Sequence, residues 1–256
     1  MIHSSAIVSA EAEIGDHVWI GPYCTIGPRV QIGKGCRFES HVVVEGPTKI
    51  GDANQFYPFA TIGLQPQDLK FKGEETFLTI GNHNVFREYV NVHRGTVGGG
   101  GTTRIGDHNF LMAYVHIGHD SQLGSHIIMA NAATLAGHVT IEDHATIGAF
   151  SGVHQFCRVG THGYVGGYTV ITKDVLPYSK TVSERSTQAY GPNVIGLERK
   201  GFTDQQIQEI RSAFRLLLQS KLNTTQAVEA LKARPNSPEA QTILNFIETS
   251  HRGVIK

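Results

Sequence analysis

Apolar residues recur every six positions along the first two thirds of this chain. Ile14, Ile20, Ile26 and Ile32 are each followed by glycine, and the register reaches back through Val8 to Ile2. Forward, it runs through Phe38, Val44, Ile50, Phe56 and Ile62, then resumes at Ile80, Phe86 and Val92. A third block starts at Ile105 and holds to Ile171 through Leu111, Ile117, Leu123, Met129, Leu135, Ile141, Ile147, Val153, Val159 and Val165. An amphipathic helix needs a period of 3.6 and a half-buried strand a period of two, so neither explains a period of six. Short strands joined by tight turns do, because each turn takes a residue tolerant of positive φ. Three such strands close one triangular coil of about eighteen residues, and stacked coils bury the anchors continuously. The pattern predicts an all-β fold with an α tail: a left-handed parallel β-helix of hexapeptide repeats over residues 1–175.

Residues eighteen apart then lie on one face in adjacent coils roughly 4.8 Å apart. Val92, Ile117, Leu135, Val153 and Ile171 form one such stack. The two gaps, "LQPQDLKFKGEETFLT" at 64–79 and "RGTVGGGGTT" at 94–103, read as loops extruded from the same corner, just after Ile62 and Val92. Beyond residue 175 the metre fails. Residues 176–200 read as a turn-rich connector and 201–256 as a helical domain. Thr203 and Gln206 form a capping box before Ile207, Ile210, Phe214, Leu217 and Leu218. A second helix starts near Asn223 or Thr224, and Ser237-Pro238 opens a third.

Composition narrows the function classes. Lys and Arg total 22 against 22 for Asp and Glu, which leaves no basic footprint for nucleic acid or a membrane surface. Cys24, Cys36 and Cys157 make no CxxC pair, as expected of a reduced, cytoplasmic protein. The first sixteen residues do not read as a signal peptide, and no apolar run is long enough for a membrane span.

Of the 14 histidines, His17, His83, His108, His126, His138, His144 and His162 stand third after an anchor, a polar turn position. Apart from His138, they read as solvated turn residues. His93, His116, His119, His138 and His154 instead gather along one edge over four successive coils. Two chemistries suit such a strip. Zinc needs three converging ligands and an open fourth position; general-base catalysis needs one imidazole with a partner that fixes its tautomer. Asp120 beside His119 offers that partner. Consecutive strand residues point to opposite faces, so their pairing requires a turn between them.

Several segments exceed what the metre demands: "SHVVVEGPTKIGDANQFYPFATIG" (40–63), "PQDLKFKGE" (66–74), "VNVHRGTVGGGGTTRIGDHNFLMAYVHIGHD" (90–120), "LAGHV" (135–139), "VHQF" (153–156), "VGG" (165–167) and "NVIGLERKGF" (193–202). With them the chain resembles, along essentially its whole length, the UDP-N-acetylglucosamine O-acyltransferases that begin lipid A synthesis. The resemblance implies transfer of a (3R)-hydroxyacyl chain from acyl carrier protein to the glucosamine 3-hydroxyl, without a cofactor or covalent intermediate, by a homotrimer. His119 would be the general base, Asp120 its orienting partner, and the backbone N–H of Gly137 the oxyanion donor. Substrate contacts would come from Asp68, Lys70, His93, His116, His138, His154, Gln155, Asn193 and Arg199. Gly167 would set acyl length, leaving room for a longer chain than a bulky residue would. Two departures stand out. "VSERSTQAYG" (182–191) lacks the family's connector pattern, and Lys200 follows Arg199 where a second arginine is usual. The related N-acyltransferases carry an additional N-terminal domain, for which anchors starting at Ile2 leave no room. A carbonic-anhydrase-like zinc enzyme and a non-enzymatic scaffold are the other readings; the scaffold accounts for neither the histidine strip nor the loops.

Overall fold

The computed structural model describes residues 1–183, 189, 191–250 and 254. It divides into two compact units, Met1–Ser183 and Glu184–Lys256. In the first unit, strands mostly two residues long form three parallel sheets of nine, eight and nine strands, and every strand except the last pairs with the third one along. The register follows the metre: Ile7 pairs with Thr25, and His116 with Thr134. All anchors from Ile20 to Ile171 are buried. Val8 and Ile14 are only half-buried and Ile2 is exposed, because the terminal coil is covered on one side only. The position two residues before each anchor also points inward and takes smaller side chains. All three cysteines stand there, buried and unpaired.

The third position after an anchor is the turn. Most residues there adopt φ between 54° and 65°, whether they are His, Tyr, Phe, Arg, Ala or Asp. His41 belongs to this set and escaped the sequence reading.

Both extrusions are present. Thr61 pairs with Asn91 and Asn91 with His116, where the plain metre would step by eighteen. The surplus lies between Leu64 and Phe77 and between His93 and Thr102. Both loops leave the first sheet at one corner, as expected. The metre tightens at its end, where Tyr164 pairs with Lys180, only sixteen residues on. Strand pairing therefore continues to Thr181, past the last anchor.

The second unit is helical. Among the described residues, four helices, α1 (Val194–Arg199), α2 (Asp204–Phe214), α3 (Thr224–Lys232) and α4 (Pro238–Glu248), are capped by Asn193, Thr203, Asn223 and Ser237. Helix α1 falls inside the stretch read as connector; at six residues it is too short to show a period. After α2 the chain continues as a π-helical turn over Arg215–Gln219. Ala213, Leu217, Ala227, Leu231 and Leu244 form the core of this unit. Residues 184–188 and 190 of the atypical connector lie outside the described residues. Among the described residues, no helix is long and apolar enough to cross a membrane.

Candidate active site

The corner from which both loops emerge also carries Asp120 and His138, each third after its anchor. Asp120 takes φ 62°. That turn reverses the alternation that would otherwise separate it from its neighbour. His119 Nδ1 donates to Asp120 Oδ2 at 2.8 Å. A carboxylate only accepts, so the proton sits on Nδ1 and the Nε2 lone pair is left free.

Asp120 is almost fully buried and held from three further directions. The Thr96 N–H donates to Oδ1 at 2.8 Å and the Thr96 hydroxyl to Oδ2 at 2.6 Å. The Asp120 N–H donates to the Thr103 hydroxyl at 2.8 Å. Thr96 belongs to the glycine-rich loop, which therefore closes over the carboxylate as a strap. The fit is tight: a Cβ on Gly99 would lie 2.1 Å from Asp120 Cγ. Sequence reading missed Thr96 and Thr103; the "HRGT" signature was the available signal, but only the folded loop brings its threonine to a residue 24 positions away.

Gly137 lies against the other side of His119. An added Cβ there would meet His119 Cε1 at 2.6 Å, so only glycine lets the ring sit in place. Among the described residues the Gly137 N–H has no acceptor, which leaves a donor free beside the imidazole. The His138 ring stands 5.2 Å from the His119 ring, edge to face, and stacks on Phe156 at 4.5 Å. Its Nε2 is 3.8 Å from Asp120 Oδ2, beyond a hydrogen bond.

Above the dyad, His93 and His116 meet edge to face at 5.4 Å. His116 Nδ1 donates to Asn91 Oδ1 at 2.9 Å, and Asn91 Nδ2 donates to the Thr61 hydroxyl at 2.7 Å. Burial, with smaller contributions from His93 and His119, pulls the His116 pKa down to about 4. Burial also lowers that of His93, against a smaller opposing effect of its hydrogen bond to Gln65. Both rings therefore act as neutral groups near pH 7. His93 Nδ1 donates to the Gln65 carbonyl at 2.5 Å, anchoring the first loop. Its Nε2 is buried without a partner, an acceptor set to receive a ligand hydroxyl.

The first loop brings Asp68 and Lys70 to a cavity of about 390 Å³, also lined by Thr96, Val97, His138 and Phe156. His154 and Gln155 follow Val153 one coil beyond Leu135 and are exposed. His154 Nδ1 faces the Gln155 carbonyl at 3.2 Å. Gly167 is half-buried in the turn that follows the third-sheet strand Tyr164–Val165. Asn193 and Arg199 belong to the helical unit, where Asn193 accepts from the Gly196 N–H as the cap of α1 and Arg199 ends that helix.

The donor set also bears on zinc. His119, Asp120 and His138 offer ligand atoms within 4.8 Å of one another. Yet Asp120 already accepts from Thr96 twice and from His119 once. A metal on that carboxylate would displace the hydrogen bonds that position it. The arrangement is that of a buried carboxylate–imidazole pair with one outward lone pair and one outward N–H.

Comparison with known proteins agrees. A family model described as UDP N-acetylglucosamine O-acyltransferase, domain 2, matches residues 174–255, and a bacterial transferase hexapeptide model matches residues 11–46. The acyl-[acyl-carrier-protein]–UDP-N-acetylglucosamine O-acyltransferase of Thermodesulfovibrio yellowstonii is 47% identical over 256 residues, covering 100% of this chain and 99% of that one. That of Alkalilimnicola ehrlichii is 46% identical with the same coverage. Among solved structures, the UDP-N-acetylglucosamine acyltransferase of Bacteroides fragilis aligns over the full length of both chains at 41% identity and a TM-score of 0.70. The Arabidopsis enzyme aligns likewise at 34% and 0.64. Full-length identity of this order, on a β-helix that assembles these histidines, shows that the chain belongs to the acyl-[acyl-carrier-protein]–UDP-N-acetylglucosamine O-acyltransferase family.

Proposed function

We propose that this protein transfers a (3R)-3-hydroxyacyl group from acyl carrier protein to the glucosamine 3-hydroxyl of UDP-N-acetylglucosamine, with His119 as general base. The observation that carries the mechanism is the His119–Asp120 hydrogen bond, which commits Nδ1 and leaves Nε2 basic. Nε2 takes the proton of the sugar hydroxyl as its oxygen attacks the thioester carbonyl. Negative charge develops on the carbonyl oxygen and is received by the Gly137 N–H, a reading supported by its lack of an acceptor among the described residues and by its closeness to the ring. Collapse of the tetrahedral species forms the ester and breaks the carbon–sulfur bond. The proton on His119 passes to the departing thiolate, so the base is regenerated. Asp120 stabilises the transient imidazolium without itself being protonated, as in other carboxylate–imidazole pairs.

His93 and His116 serve as neutral donors and acceptors for the sugar nucleotide, and His138 contacts it from beside the dyad. Asp68 and Lys70 approach from the first loop, His154 and Gln155 from the next coil, and Asn193 and Arg199 meet the nucleotide. Gly167 leaves room for the acyl tail. The active form is a homotrimer in the cytoplasm, with each site in the crevice between neighbouring prisms. A column of exposed aromatic side chains along a second corner of the helix, including Tyr23, Phe59, Tyr89 and Tyr114, supports a partner surface there.

The test is direct. Protein dialysed against a chelator is incubated with 3-hydroxyacyl-acyl carrier protein and UDP-N-acetylglucosamine, and products are read by mass spectrometry. The expected product is the 3-O-acylated sugar nucleotide, formed at the same rate before and after dialysis. Absence of the ester, or restoration of activity only by zinc, would overturn the reading.

A further inference from the structure

A second group of histidines lies on a different corner from the site. His83, His108, His126, His144 and His162 occupy the turn position between the second and third sheets, all with φ between 54° and 61°. All five are exposed. Their rings stack in one column with centroid spacings of 4.9, 5.0, 4.8 and 4.6 Å and planes within 5° of parallel. The column ends on Tyr178, 5.6 Å beyond His162. Parallel strand pairing sets the spacing, so each imidazole repeats its neighbour's position along the prism.

These imidazoles differ in kind from those of the site. His93, His116 and His119 each commit Nδ1 to a hydrogen bond. None of the five stacked rings has a side-chain hydrogen bond to another described residue. Their nitrogens therefore keep lone pairs toward solvent. Two carboxylates adjoin the column in sequence: Asp107 and Asp143 directly precede His108 and His144, and each accepts a backbone N–H through Oδ1.

We infer that this column is a binding strip for divalent transition-metal ions of the zinc, nickel and copper class, each ion held by two consecutive imidazoles. Imidazole is the commonest protein ligand for these metals. Zinc–nitrogen bonds of about 2.0–2.1 Å place two ligating nitrogens roughly 3 Å apart. Rings starting 4.6–5.0 Å apart reach that separation by leaning toward each other, and χ2 of histidine is a soft torsion. The ladder of backbone hydrogen bonds stays fixed, so only side chains move. Water completes the coordination. Five rings divide into two pairs, which sets a capacity of about two ions per chain.

The column is breakable without losing its packing. Phe59 and Tyr89 occupy the same kind of turn on another corner and stack at 5.0 Å, so a phenyl ring fits. The double variant His108→Phe/His144→Phe leaves no two adjacent histidines. Stripped wild-type protein and this variant are titrated calorimetrically with zinc chloride. The wild type is expected to bind about two more ions per chain than the variant, whose remaining sites are about 100-fold weaker because the paired ligand is lost. Acyl transfer by the variant stays at the wild-type rate, which also reports that it is folded. Copper added to the wild type gives an electron paramagnetic resonance spectrum with superhyperfine splitting from two imidazole nitrogens. Equal zinc stoichiometry and affinity in the two proteins, or a copper spectrum without paired nitrogens, would overturn the inference.

Discussion

At the scale of single residues, the site turns on how Asp120 is held. Its carboxylate is buried and accepts from Thr96 twice, so losing the Thr96 hydroxyl removes a charge-assisted hydrogen bond from the group that orients the base. Thr96→Val is expected to lower kcat roughly tenfold, a change of about 1.4 kcal/mol, with little effect on KM. Thr96→Ser restores the rate. Equal kcat for Val and wild type would remove Thr96 from the positioning role.

His116 makes a prediction about pH. Folded, its pKa is about 4; unfolded, it returns to near 6.5. As pH falls, the unfolded chain takes up the proton first. The stabilisation present above about pH 6.5 is therefore lost progressively down to about pH 4. Calorimetric melting between these limits should fall less steeply for His116→Gln than for wild type. Parallel curves would show that His116 does not titrate this way.

The His119–Asp120 contact also shows why residue-scale chemistry was half legible in the sequence. Alternation of side chains along a strand forbids it, yet the six-residue metre itself places Asp120 at the third position after Ile117, where the chain turns. Thr96 carried no such signal. Its role exists only because an extruded loop folds back on the corner beneath it.

At the scale of elements, the metre was nearly sufficient. One residue in six is an anchor, so register cannot slip without exposing a whole row of buried side chains. Helix starts were equally legible at Thr203, Asn223 and Ser237, because their side chains cap the N–H groups of the first turn. Helix α1 was not, since six residues carry too little periodicity. The π-helical turn after α2 follows no pattern in the apolar positions.

The third sheet carries a prediction about acyl length. Gly167 is half-buried in the turn two residues after the strand Tyr164–Val165, and the proposed function assigns the space beside it to the acyl tail. Gly167→Met should shift preference toward shorter 3-hydroxyacyl donors, measured as the ratio of kcat/KM values across chain lengths. An unchanged profile would remove Gly167 from that assignment.

At the scale of the whole molecule, the β-helix is a rigid ruler with three differentiated corners. One carries the loops and the dyad, one the exposed histidine column, and one the aromatic column. The proposed homotrimer would use the aromatic column as its association surface. Replacing Phe59 and Tyr114, 44% and 59% exposed, with glutamate should convert a trimer to monomers in sedimentation velocity. A trimer that survives both changes would place the interface elsewhere.

The central claim is that His119, fixed by Asp120, takes the proton from the sugar hydroxyl through Nε2. The most direct measurement is the acyl-transfer rate of His119→Ala, with circular dichroism and sedimentation confirming an unchanged fold and assembly. One general base contributes about 10²–10⁴-fold, so kcat should fall by that factor while UDP-N-acetylglucosamine still binds. A wild-type rate in the alanine variant would contradict the account.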